Sequence, residues 1–129
     1  MNAEDLKKRT KRFALRILKL VAALPNTIEG NVIRAQLARA GTSGGSNYRA
    51  ACRGRSRAEF IAKLGVVEEE ADESAFWMER IIDGRLLKRA RVEPLLDEAI
   101  EITKIMSQSR ITASLNRNTN RKSEIGNRK

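Results

Sequence analysis

Basic side chains recur at helical spacing in this chain. Lys8, Arg12, Arg16 and Lys19 stand four, four and three residues apart, which lines them along one side of a helix. Arg49, Arg53, Arg55 and Arg57 form a second cluster, and Arg117, Arg121 and Lys122 a third, continued by Arg128 and Lys129. Such groups can neutralise phosphate, each contact releasing condensed counterions from a polyanion. No aromatic lies in the third cluster, so it offers bases nothing to stack on. Binding through these groups is expected to be read from phosphates, with little sequence selectivity.

Other chemistry is scarce. The chain has no histidine, which removes the commonest acid–base group and metal ligand. Glu68, Glu69, Glu70, Asp72 and Glu73 spread around a helix rather than converge, so they are expected to be a solvated or protein-facing acidic surface. Cys52 is the only cysteine and can close no internal disulfide. Arg49 and Arg53 beside it would favour a reactive thiolate, but a small core residue is the simpler assignment. No catalytic residue, metal or cofactor is expected, and the chain is not expected to be an enzyme.

Charge is segmented. The 129 residues carry a net +10. Residues 1–24 have seven Lys/Arg against two acids, residues 25–57 six against one, and residues 110–129 six against one. Residues 58–83 reverse this, with two cations against eight acids. Solubility alone accounts for charge of this kind, and so does a nucleic-acid partner; an anionic membrane surface is the least favoured. Arg16 and Lys19 interrupt the N-terminal apolar run, so neither a signal peptide nor a spanning helix is expected, and the expected location is cytoplasmic.

The elements that must position these groups are helices. Aromatics make up 4% of the chain, so Leu, Ile, Val and Ala must build the core. The strongest element runs from Arg55 to Asp83. Ser56 and Glu59 read as a capping box, Phe60, Leu64, Val67, Ala71, Ser74, Met78 and Ile81 form a heptad seam, and Gly84 reads as the C′ stop.

A first helix is expected over Ala3–Leu24, with an apolar stripe of Leu6, Phe13, Ile17, Leu20 and Leu24. Asn26 and Glu29 read as a looser capping box for a second, with the seam Ile33, Leu37, Ala40, Gly44, Tyr48 and Ala51. Its Gly41–Gly45 run reads as a phosphate-cradling loop, a plain loop or a continuous helix, and the in-phase seam favours the helix. A fourth helix carries Val92, Leu95, Ala99, Ile102 and Met106, with Pro94 in its first turn. Periodicity ends near Ser114. The expected fold is all-α: an antiparallel up-down-up-down four-helix bundle over residues 1–113, with a disordered basic tail over 114–129.

The blocks Gly41-Thr42-Ser43, Asn47-Tyr48, Ala51-Cys52, Ser56, Glu59-Phe60-Ile61, Lys63-Leu64, Glu70-Ala71-Asp72-Glu73 and Trp77, with Arg16–Leu20 and Leu24-Pro25, resemble a known family over about residues 10–110. It is the bacterial four-helix-bundle family encoded by 23S rRNA intervening sequences, often labelled S23 ribosomal protein. The resemblance implies a bundle that assembles as a ring, a homopentamer, without established enzyme activity. A related branch is similar to accessory subunits of diversity-generating retroelements, basic pentamers that bind nucleic acid and a reverse transcriptase. The chain departs from the pattern at Arg49, where Glu is common, and at Gly44-Gly45.

Two faces are candidates for contact with another copy. Leu15 and Leu18 lie well away from the apolar stripe of the first helix, so either a second copy or deeper burial within the monomer must cover them. Phe76 lies opposite the α-helical seam, on the side of Glu69, Asp72, Glu73 and Asp83. It is either a lone exposed aromatic or part of a surface that meets the basic first helix of a neighbour. The partners expected are therefore a further copy and nucleic acid, with a docked enzyme subunit such as a reverse transcriptase as the alternative, and no membrane.

Overall fold

Short polar side chains start three of the helices by accepting from N–H groups that the first turn leaves open. The computed structural model describes the backbone of residues 1–127 and the side chains of residues 1–116. Helix α1 spans Ala3–Ala22, α2 Ile28–Cys52, α3 Arg57–Asp83 and α4 Arg89–Asn127, and the described residues contain no strand. Asn2 caps α1, with the Asp5 N–H donating to Asn2 Oδ1 at 2.9 Å and the Asp5 carboxylate reaching back to the Asn2 N–H.

The cap of α2 is Thr27, not Asn26: the Gly30 N–H donates to Thr27 Oγ1 at 3.1 Å. Ser56 caps α3 by accepting from the Glu59 N–H at 3.1 Å, but the Glu59 carboxylate reaches one residue further, to the Arg55 N–H.

The end of α3 and the start of α4 also depart from the expectation. Gly84 has a right-handed φ of −81°, and Arg85 carries the positive φ, 56°. The Leu86 N–H donates to the Ile81 carbonyl and the Arg85 N–H to that of Ile82, which is a Schellman turn with arginine in the left-handed position. Helix α4 begins at Arg89, so Pro94 lies past the first turn. Proline has no N–H for the carbonyl of Ala90, but Ala90 is exposed and water can serve it. Ala113 is the last buried residue, and the backbone stays helical beyond it to Asn127. The side chains of Arg117, Arg121 and Lys122 lie outside the described residues.

The short connections make each helix antiparallel to the next. Helix α3 packs extensively on α2 and α4, α1 packs on α2, and α1 meets α4 only along a narrow seam. Among the described residues the backbones of α1 and α3 do not approach closely, so the two helices stand diagonally across the bundle and meet only through core side chains. The expected seams form the core: Ile17, Leu37, Leu64, Met78, Ile81, Ile102 and Met106 are fully buried, and Phe60 at the seam's edge is half-buried. Buried hydroxyls are satisfied within their own helices, Thr10 donating to the Leu6 carbonyl and Ser74 to that of Glu70.

Helix α2 runs unbroken through Gly41–Gly45, and its glycines are not equivalent. A Cβ on Gly41 would lie 2.6 Å from Ile17 Cγ1 and 2.9 Å from Ile17 Cβ. Ile17 is fully buried and β-branched, so it has nowhere to go. A Cβ on Gly44 would make only ordinary contact, 3.9 Å from Val67. Gly41→Ala is therefore expected to destabilise the protein by about 1–3 kcal/mol in urea unfolding, whereas Gly44→Ala is expected to stabilise it by about 0.5–1 kcal/mol.

Candidate nucleic-acid interface

Charge pairing differs from seam to seam. Arg9 of α1 grips Glu98 of α4 with two hydrogen bonds, Nε to Oε2 at 2.8 Å and Nη2 to Oε1 at 2.7 Å. Arg39 of α2 reaches Glu70 of α3 at 3.1 Å and also pairs with Glu73. Arg110 of α4 meets Glu68 of α3 at 3.1 Å. Among the described residues no ion pair crosses the remaining seam, between α1 and α2.

That seam is instead an open groove of about 570 Å³ with cations on both walls: Lys7 and Lys11 from α1, Arg49 and Arg53 from α2. Its floor is Ala14, Thr42, Gly45 and Ser46. The small residues of the continuous α2 helix at Thr42, Gly45 and Ser46 leave the space open. Lys7 is paired with Glu4 of its own helix at 3.1 Å. Lys11, Arg49 and Arg53 are exposed and form no ion pair among the described residues. The floor hydroxyls already donate to backbone, Thr42 to the Ala38 carbonyl at 2.7 Å and Ser46 to that of Ser43 at 3.0 Å.

The stripe Lys8, Arg12, Arg16 and Lys19 therefore divides by neighbour. Arg12 and Arg16 lie close enough to Glu98 on α4 to act on its charge, while Lys8 and Lys19 are exposed. Arg49 and Arg53 enter the groove. Arg55 and Arg57 gather at the end of the bundle where α1 begins, around Ala3 and Phe60. Sequence reasoning missed Lys7 and Lys11. Their spacing of four residues was visible, but their relation to Arg49 and Arg53 depends on how α1 and α2 pair.

The second face lies across the bundle. Phe76 is 45% exposed, with the Arg80 guanidinium 4.8 Å above its ring and Trp77 edge-on at 5.0 Å. Arg80 also holds Asp83 at 3.0 Å. Glu69 and Asp72 are exposed, whereas Glu73 is engaged by Arg39 within the same bundle. On α1, Leu15 and Leu18 are 56% and 46% exposed, so the bundle itself does not cover them.

Cys52 is half-buried and packs on the core beside Tyr48, whose hydroxyl is pushed up by burial and by that thiol. Among the described residues no group of His, Cys, Asp and Glu is placed to hold a metal, and no helix is long and apolar enough to cross a membrane.

The family described as 23S rRNA-intervening sequence protein matches residues 4–108. The chain belongs to that family. A solved structure of a protein of unknown function from the S23 ribosomal protein family of Bacteroides thetaiotaomicron superposes with a TM-score of 0.78. It is 34% identical and covers 85% of this chain and 98% of its own. No curated protein matches the chain. The four-helix architecture is thus that of the 23S rRNA-intervening sequence family, and the groove is a feature of its α1–α2 pair in this member.

The Arg9–Glu98 pair sets a pH dependence. The hydrogen bond from Arg9 holds the Glu98 carboxyl below its ordinary 4.5, against the opposing effect of burial and with help from the charges of Arg9, Arg16 and Arg12. A carboxylate with a depressed folded pKa contributes stability above its unfolded pKa, and loses it as pH falls through the folded value. Glu98→Gln is expected to lower the thermal midpoint at neutral pH. The gap to wild type is expected to narrow below about pH 4 in thermal melts.

Proposed function

We propose that this protein is a non-enzymatic basic bundle that binds nucleic acid mainly through phosphate contacts. The α1–α2 groove carries this reading. Three seams each place a carboxylate of one helix against an arginine of the next, and the fourth carries cations on both walls with no ion pair across it among the described residues. Such an arrangement costs stability in isolation and is compensated when a polyanion supplies the missing negative charge. Anisotropy of a labelled structured RNA and a matched DNA duplex, titrated with the full chain at several salt concentrations, tests it. The expected outcome is binding to both, tighter for the RNA with its unpaired stretches, with log K falling linearly as log salt rises. No binding to either at low salt would overturn the proposal.

The α3 face favours a second element of the same reading, self-assembly. Because α1 and α3 stand diagonally, the basic face with Leu15 and Leu18 and the acidic face around Phe76 point to opposite sides. A copy pairing these faces docks head-to-tail, which closes into a ring when the rotation permits, with five copies expected. The same face is the place for a docked enzyme subunit if the protein acts as an adaptor. Phe76→Glu and Leu18→Glu are each expected to reduce the solution mass measured by light scattering. An unchanged assembly with both variants would remove this element.

A further inference from the structure

We infer that the α1–α2 groove seats consecutive phosphates of one nucleic-acid strand, bridging Lys7 and Lys11 on one wall to Arg49 and Arg53 on the other. This rests on the nucleic-acid reading and gives it a site and a ligand class. The two cations of each wall are four residues apart, a rise of about 6 Å along the helix. That separation is comparable with the spacing of neighbouring phosphates along one strand. The helices are antiparallel with Thr10 beside Gly45, so Lys11, then Lys7 with Arg49, then Arg53 succeed one another along the groove, each level meeting one phosphate.

The size of the groove sets the class. Its volume of about 570 Å³ holds a short stretch of one sugar–phosphate strand and not a duplex. Small residues at Ala14, Gly45 and Ser46 let the strand approach the helix backbones. No aromatic lines the cleft, so bases find no stacking platform, and the Thr42 and Ser46 protons are already donated to backbone carbonyls. Recognition is by charge, and base identity goes unread.

Such a ligand also takes the place of the absent ion pair. It ties α1 to α2 with charge-assisted contacts as Arg9–Glu98 ties α1 to α4. Ligand binding to the folded form raises its stability by mass action.

The test compares the wild-type protein with the double variant Lys11→Gln/Arg49→Gln and a control, Lys88→Gln/Arg91→Gln. The control loses the same charge at the opposite end of the bundle. Fluorescein-labelled oligothymidylate is titrated at several salt concentrations, with unlabelled duplex DNA at equal phosphate as competitor. The groove variant is expected to bind at least about tenfold more weakly, with a salt slope shallower by about 1–1.5. The control should keep an affinity within about threefold of wild type.

Lys11 and Arg49 are exposed, and their replacement relieves like-charge repulsion, so the variant should melt no lower than wild type. Wild-type binding with equal losses in the two variants would overturn the groove while leaving the nucleic-acid reading intact. Equal competition by duplex would overturn the single-strand class. Binding of neither oligothymidylate nor any duplex or structured RNA would overturn both readings.

Discussion

The close approach of α1 to α2 at Gly41 is the constraint on which much else depends. Ile17 lies where a Cβ of that residue would stand, so the two helices meet side chain against backbone. This contact fixes their separation and their register. With Gly41 beside Ile17 and Gly45 beside Thr10, Arg49 one turn further along α2 comes level with Lys7, while Lys11 and Arg53 flank that pair one turn to either side. The same register lets Arg34 donate to the carbonyls of Val21 and Leu24, closing the end of α1 that no capping side chain serves. A packing requirement in the core thus determines the electrostatics of the surface.

The charged contacts follow a division of labour. Most solvent-exposed ion pairs contribute less than about 1 kcal/mol, so the apolar seams supply the bulk of the stability and the arginine pairs refine which helix sits beside which. Arg9–Glu98 is the best placed of them, being two-pronged and largely sheltered. It spans the narrowest seam. The α1–α2 seam can forgo such a pair because Gly41 and Ile17 already lock it. Lys11, Arg49 and Arg53 thus carry no cross-helix ion pair among the described residues.

The helices were legible because burial imposes a period, and the period survives in the residue types. Leu64, Met78 and Ile81 declare α3, and Val92, Ala99 and Met106 declare α4, whatever the neighbours are. Helix ends were less legible because several residues satisfy the same local rule. Thr27 and Asn26 are both good caps, and only the turn from Pro25 decides between them. Arg85 takes a conformation for which Gly84 is the better chemical candidate, because the chain must turn one residue later to bring Leu86 back over Ile81. Individual cations were visible, but the groove was not. It joins residues some forty positions apart through a helix pairing that composition does not specify.

The narrowness of the α1–α4 seam bears on how the chain folds. Helices α2, α3 and α4 form a continuous stack of two broad interfaces, whereas α1 is attached along one broad edge and one thin one. Local stability in such an arrangement is uneven, and the element with the least packing on its neighbours opens at the lowest free energy. Helix α1 is made before α2, and its broad partner surface is complete only after Cys52 has been added. Helix α1 must therefore wait for α2, and its exposed leucines, Leu15 and Leu18, accompany it through that interval.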